Sequence, residues 1–187
     1  MTPEPVSVDT VYAVERALRE LDIEHAFVGG LALSAWGVPR ATFDLDLAVS
    51  LPGERQKELL AALARLGWDV DPIFEKGWRD QMAGIPVIHV RIPAERSLIR
   101  VDFLICDTPF LSSVLVRRVG IDLGQGEVPV CTAADLLLFK LVAWRKKDQL
   151  DLDNILWVQG VPERSYLEQW AKPLGVQDRL RKILEGH

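Results

Sequence analysis

Residues 28–49 read VGGLALSAWGVPRATFDLDLAV, and the second half of this stretch decides how the chain folds. From Thr42 to Ser50, Phe43, Leu45, Leu47 and Val49 alternate with Thr42, Asp44, Asp46 and Ala48. That period of two predicts a strand with one strongly apolar face and one face carrying two acids. Asp44 and Asp46 then emerge on the same side, with Cα atoms roughly 6.6 Å apart. Like charges that close weaken each other's ionised form unless a cation compensates them. A magnesium ion does so, because hard cations are bound by carboxylates together with substrate phosphates. An Asp-Leu-Asp segment on its own reads as a solvated sheet face, so its surroundings carry the decision.

Upstream, Ile23 to Val28 reads as a short strand, and Gly29 and Gly30 interrupt the chain where it would end. Glycine permits close backbone approach, and N–H groups at the start of a following helix can receive a phosphate. LALSAWG reads as that helix, stopped by Gly37 and Pro39. The pair is neither a GxGxxG nor a GxxxxGK[ST] signature. Downstream, in LIRVDFLIC, Val101, Phe103 and Ile105 form the apolar phase, while Asp102 shares the other phase with Arg100 and Leu104. If the two strands are neighbours, Asp102 completes a three-carboxylate metal cage. The competing reading makes it a partner for Arg100 or another base.

Several basic and acidic residues join this constellation. Arg40 can contact a triphosphate or hold the acidic pair in place. Lys140 interrupts the apolar run LLLFKLVAW, so it either snorkels or reaches a charged partner, for which a phosphate is suitable. Asp148 and Asp151, three apart on an expected helix, can organise Lys140 or Arg145 or face solvent. Trp36 is expected to pack in the core rather than line a base pocket. His25, His89 and His187 make no metal pattern.

The rest of the chain alternates helices and strands and then becomes helical. Asp9 is expected to cap a helix that buries Val11, Val14, Leu18 and Leu21, behind a loose lead over residues 1–8. Pro52 opens a helix burying Leu59, Leu60, Leu63 and Leu66. Strands are expected over Trp68–Ile73, Pro86–Ile92 and Leu98–Ile105, with FEKGWRDQMAG as loop or weak helix. Pro109–Arg118 reads as helix or turn, and Glu127–Cys131 as a short edge strand. Thr132 caps a helix running to about Arg145, and the remainder is helical with breaks at Gly160 and Pro173. This order predicts an α/β core over residues 1–131 with a helical C-terminal part, residues 132–187, packed on it.

Composition excludes several classes. Of 187 residues, 49% are hydrophobic and 26% charged, the balance of a globular rather than a disordered chain. A net charge of −5 offers no global attraction to a nucleic-acid backbone, so an RNA partner draws no support from it. Cys106 and Cys131 lack ligand spacing and read as reduced core residues. There is no signal-like N-terminus and no apolar run of membrane-spanning length, which predicts a cytoplasmic protein with no membrane partner.

The constellation VGGLALSAWGVPRATFDLDLAV resembles the minimal nucleotidyltransferase superfamily, in the bacterial branch related to the AbiEii toxins of abortive-infection toxin–antitoxin systems. There a glycine-containing strand–helix junction precedes an acidic pair, and a later strand gives a third carboxylate. Gly29 and Gly30 match the junction, Asp44 and Asp46 the pair, and Asp102 the third acid. Gly37, Arg40 and Thr42 match the branch's residues before the acidic pair. Lys140, Arg145, Lys147, Asp148 and Asp151 resemble its later helical cluster.

The resemblance implies a mixed sheet flanked by helices. It also implies Mg²⁺-dependent transfer of a nucleoside monophosphate from a nucleoside triphosphate to a hydroxyl or phosphate of RNA, protein or a small molecule, releasing pyrophosphate. Mn²⁺ is an alternative ion. Asp44, Asp46 and Asp102 become the catalytic and metal-binding residues, with the acidic pair also bridging to a second metal. Gly29, Gly30, Arg40, Thr42, Lys140, Arg145 and Asp148 become the nucleotide-binding ones. An antitoxin or other protein partner follows from the same resemblance. The alternative is a catalytically weak nucleotide-binding or interaction module.

Overall fold

The computed structural model describes residues 4–82, 84–94 and 97–186, so the first three residues of the expected lead and His187 lie outside it. Helix α1 (Val8–Glu20) is capped by Ser7, whose hydroxyl accepts the Thr10 N–H. The expected cap, Asp9, instead lies in the first turn, where its charge complements the positive end of the helix. Val11, Val14 and Leu18 are buried as their spacing requires.

Strand β1 (His25–Phe27) leads directly into α2 (Gly29–Ala35), so the helix starts at the glycine pair itself. Then follow β2 (Asp44–Val49) and α3 (Gly53–Arg65), with Pro52 as its N-cap. Leu59, Leu60 and Leu63 are buried, whereas Leu66 stands past the last turn and is exposed, contrary to its place in the expected stripe. The expected strand over Trp68–Ile73 is reduced to β3 (Asp69–Val70). Asp71 caps and Pro72 opens a short helix, α4 (Pro72–Glu75).

Part of the segment expected as loop or weak helix pairs as β4 (Asp80–Met82). Strands β5 (Ile85–Pro93) and β6 (Leu98–Ile105) follow, then α5 (Pro109–Arg117), β7 (Val119–Asp122) and β8 (Glu127–Val130). Four helices complete the chain: α6 (Ala133–Ala143), α7 (Lys146–Gln159), α8 (Arg164–Ala171) and α9 (Gln177–Leu184). Thr132 caps α6 as expected, accepting the Asp135 N–H.

Among the described residues the strands form one mixed sheet in the order β3-β5-β6-β2-β1-β8-β7, with β4 added to β5. β2 is central, antiparallel to β1 and parallel to β6. β8 is not an edge: it pairs parallel with β1 and antiparallel with β7, which takes that position. Leu45, Leu47 and Val49 of β2 and Val101, Phe103 and Ile105 of β6 are buried, whereas Phe43, expected in the same apolar phase, lies before β2 and is exposed. The other phase of both strands is thereby aligned on one face of the sheet.

Candidate active site

The β2–β6 register sets the acids side by side. Asp46 pairs with Asp102 and Asp44 with Arg100, so all four share one face. Asp44, Asp46, Arg100 and Asp102 line a single cavity of about 210 Å³ with Gly29, Gly30, Arg40, Thr42, Lys140, Arg145, Lys147 and Asp148. The ten residues expected to be catalytic or nucleotide-binding thus border one cavity, whereas Gly37 and Asp151 do not line it. Its remaining wall includes apolar side chains from β4, β5 and α6, such as Met82, Ile85 and Phe139.

The glycine junction works by close approach. Gly29 has φ +60°, and a Cβ there would lie 2.1 Å from Asp46 Oδ2. A Cβ on Gly30 would lie 2.5 Å from Thr42 Oγ1. Side chains at either position would occupy the places of the acid or of its neighbour. Thr42 Oγ1 donates to the Asp44 backbone carbonyl at 2.9 Å and to Asp44 Oδ1 at 3.3 Å. Thr42 therefore fixes how the strand presents its first acid.

Asp102 is buried and heavily engaged. Its Oδ1 accepts Arg100 Nε–H at 2.6 Å and lies 2.8 Å from His89 Nδ1, while His89 Nε2 lies 3.2 Å from Asp80 Oδ2. The bond to Asp102 strengthens the protonation of Arg100 despite its partial burial. Asp46 behaves differently. Burial, reinforced by the charges of Asp44 and Asp102, pushes its carboxyl up to about 6, against the pull of Lys140 and Arg145.

On the other wall, the cationic candidates are held by acids. Helix α6 stops at Trp144, which adopts a left-handed conformation (φ 50°), two residues short of the expected run through Arg145. The chain reverses there, and Arg145 becomes the N-cap of α7, with Asp148 accepting its backbone N–H at 3.1 Å and its Nε–H at 2.6 Å. Lys140 is only 6% exposed and reaches Asp148 at 3.1 Å and Asp151 at 2.7 Å. Asp151 also accepts Arg40 at 3.0 Å, so Arg40 is bonded to α7 rather than to Asp44 or Asp46. Burial would raise the Asp148 carboxyl, but hydrogen bonds from Arg145 and Lys140 outweigh it and hold Asp148 below the usual carboxylate range.

Lys147, which the resemblance groups with this cluster, is exposed on the same cavity. No carboxylate among the described residues lies within ion-pair distance of it. Trp36 does not line the cavity: its indole N–H donates to the Cys131 carbonyl at 2.8 Å, tying α2 to the end of β8.

The donor set suits a hard divalent ion at Asp44 and Asp46, since burial, and then the charge of Asp44 beside it, raise Asp46 in a way that a cation would relieve. The three-acid cage is not preassembled. Among the described residues no three His, Cys, Asp or Glu side chains stand close enough together to hold a metal, and Asp102 is turned to Arg100 and His89.

A family model described as nucleotidyl transferase AbiEii toxin, Type IV TA system, matches residues 13–156. No curated protein sequence matches the chain. Among solved structures it is similar to an antigenic nucleotidyltransferase-like protein from Paracoccidioides brasiliensis, with 17% identity over 97% of this chain and 95% of that one and a TM-score of 0.58. The antibiotic-resistance factor ANT(2'')-Ia gives 17% identity, 95% and 96% coverage and a TM-score of 0.59. The lincosamide antibiotic adenylyltransferase LnuA, bound to lincomycin, gives 12% identity, 81% and 98% coverage and a TM-score of 0.55. These likenesses establish the fold.

Proposed function

Given that the chain belongs to the AbiEii nucleotidyltransferase family, we propose that it transfers a nucleoside monophosphate from a nucleoside triphosphate to an acceptor hydroxyl or phosphate and releases pyrophosphate. The observation that carries this reading is the β2–β6 register, with Asp44, Asp46 and Asp102 on one face of a cavity that also takes in the glycine pair and the α6–α7 cations.

Asp44 and Asp46 would hold the Mg²⁺, which would supply Lewis-acid polarisation of triphosphate oxygens. The Gly29 and Gly30 N–H groups, together with Arg40, Lys140, Arg145 and Lys147, balance the phosphate charge. Thr42 and Asp148 hold Asp44 and the cations in place. Asp102 has Oδ1 bonded to Arg100 and leaves Oδ2 to take the acceptor's proton. The acceptor oxygen attacks the α-phosphorus in line, and the bond from that phosphorus to the bridging oxygen breaks as pyrophosphate leaves. The work of the protein is placement and electrostatics.

The test incubates the purified protein with each α-labelled triphosphate, Mg²⁺ or Mn²⁺, and a panel of total RNA, proteins and small phosphorylated acceptors. Label transfer and pyrophosphate release occur together, and Asp46→Asn abolishes both while leaving the circular dichroism unchanged. Full transfer by Asp46→Asn would reject the metal role. A second reading, an interaction module, draws on the outward side of α7, where Leu150 and Trp157 are 66% and 83% exposed two helical turns apart. Triphosphate binding without transfer to any acceptor in a cellular extract would favour it.

A further inference from the structure

Arg100 stands inside the acidic face rather than beside it. Its Cα is the register partner of Asp44, so its side chain rises from the same face as the three acids. Nε donates to Asp102 Oδ1 at 2.6 Å, and Nη2 lies 2.9 Å from His89 Nδ1. The guanidinium nonetheless borders the cavity and is about half exposed, at 51%. The site is therefore electrically divided. On the β6 side, Asp102 is already matched by a fixed monovalent cation. On the β2 side, Asp44 and Asp46 have no basic side chain within ion-pair distance among the described residues.

Two divalent ions side by side would need Asp102 to join Asp44 and Asp46 as a ligand. Arg100 and His89 engage Oδ1 and leave that carboxyl only Oδ2, and a guanidinium held against it within the acidic face repels an incoming second ion. No three acids among the described residues are gathered closely enough to hold a metal, as this division requires. Resting on the reading of Asp44 and Asp46 as the metal centre, we propose that the chain binds one divalent cation there and that the Arg100 guanidinium takes the place of a second. Arg100 is then a fixed charge beside the acceptor's side of the reaction. An arginine suits that role because it never deprotonates in the working range and its planar fork keeps a set direction.

The experiment counts ions without depending on turnover. Metal-free full-length protein is titrated with Mn²⁺, and free Mn²⁺ is followed by electron paramagnetic resonance. Wild type takes up one ion, and Asp46→Asn takes up none. Arg100→Gln gains a second site at least about tenfold tighter than any second site in wild type, while Arg100→Lys, which keeps the charge, stays at one. Circular dichroism checks the fold of each variant. Two ions of comparable affinity in wild type, or a single ion in Arg100→Gln, would overturn the substitution of a guanidinium for a metal and leave the metal centre standing. No uptake by wild type would overturn the metal centre itself, and this inference with it.

Discussion

Gly29 and Asp46 are in direct contact across the α2–β2 face: a Cβ added to Gly29 would meet Asp46 Oδ2 at 2.1 Å, Cγ at 2.9 Å and Cβ at 3.0 Å. The backbone of Gly29 is also left-handed, at φ +60°. One residue therefore carries both a conformational and a steric requirement, and the steric one is aimed at the proposed metal ligand.

Gly29→Ala should accordingly cost roughly 1–3 kcal/mol of stability and drive the Asp46 carboxylate from its position. Urea denaturation gives the first effect and Mn²⁺ affinity the second. Gly30→Ala meets only Thr42, with no unfavourable φ, and should cost less in both measurements. Wild-type Mn²⁺ affinity in Gly29→Ala would show that the contact does not position the acid.

Lys140 and Lys147 line the same cavity but differ in how their charge is used. Lys140 is buried between Asp148 and Asp151, and Asp151 also holds Arg40. Removing one member of a buried charge network leaves the others uncompensated, so Lys140→Met should lose about 3–5 kcal/mol of stability. Lys147→Ala, on the surface, should stay within about 0.5 kcal/mol of wild type. If Lys147 balances phosphate charge, the same substitution weakens triphosphate binding by calorimetry more than nucleoside binding. Equal triphosphate affinity in Lys147→Ala and wild type would assign the phosphate role to Lys140 and Arg145 instead.

How much of this could be read from residues alone depended in part on strand length. β2 and β6 run for six and eight residues, long enough for an apolar period of two to declare both the strand and the face that carries Asp44, Asp46 and Asp102. β3, β4 and β7, with two to four residues each, set no period. The same limit hid the partners of the site. His89 meets Asp102 through the β5–β6 register, and Arg40 meets Asp151 across 111 residues of chain. Neither distance has a local signature. The α6–α7 reversal was hidden for another reason: Trp144 takes a left-handed turn usually left to glycine or asparagine.

Cys106 and Cys131 test the core. Burial pushes the Cys106 thiol up to about 12 and the Cys131 thiol well above its usual value. Neither should react appreciably with iodoacetamide at pH 8 in the native protein, and both should label in denaturant. Mass spectrometry after timed quenching distinguishes the two states. Rapid native labelling of Cys131 would contradict its full burial in the core.

The raised Asp46 carboxyl makes a signed prediction about pH. Burial first, then Asp44 and Asp102, lift it from 3.8 to about 6, so the folded chain holds this proton more tightly than the unfolded chain does. Its favourable contribution is full below the unfolded value and is lost as pH rises through the folded one. A shift of this size corresponds to on the order of 3 kcal/mol between the two ends of that window. In metal-free buffer, wild type should therefore gain stability as pH falls from about 7 towards about 4, net of its other titrating groups. Asp46→Asn removes the ionisable group while keeping its shape. It should be more stable than wild type at pH 7 and approach it near pH 4, a difference read from urea midpoints across the range. Adding Mg²⁺ at pH 7 should stabilise wild type and leave Asp46→Asn unmoved, because the ion relieves a repulsion that the amide lacks. If the two proteins differed equally at pH 7 and pH 4, the Asp46 carboxyl would not be the titrating group, and the strained acidic pair would lose its physical basis.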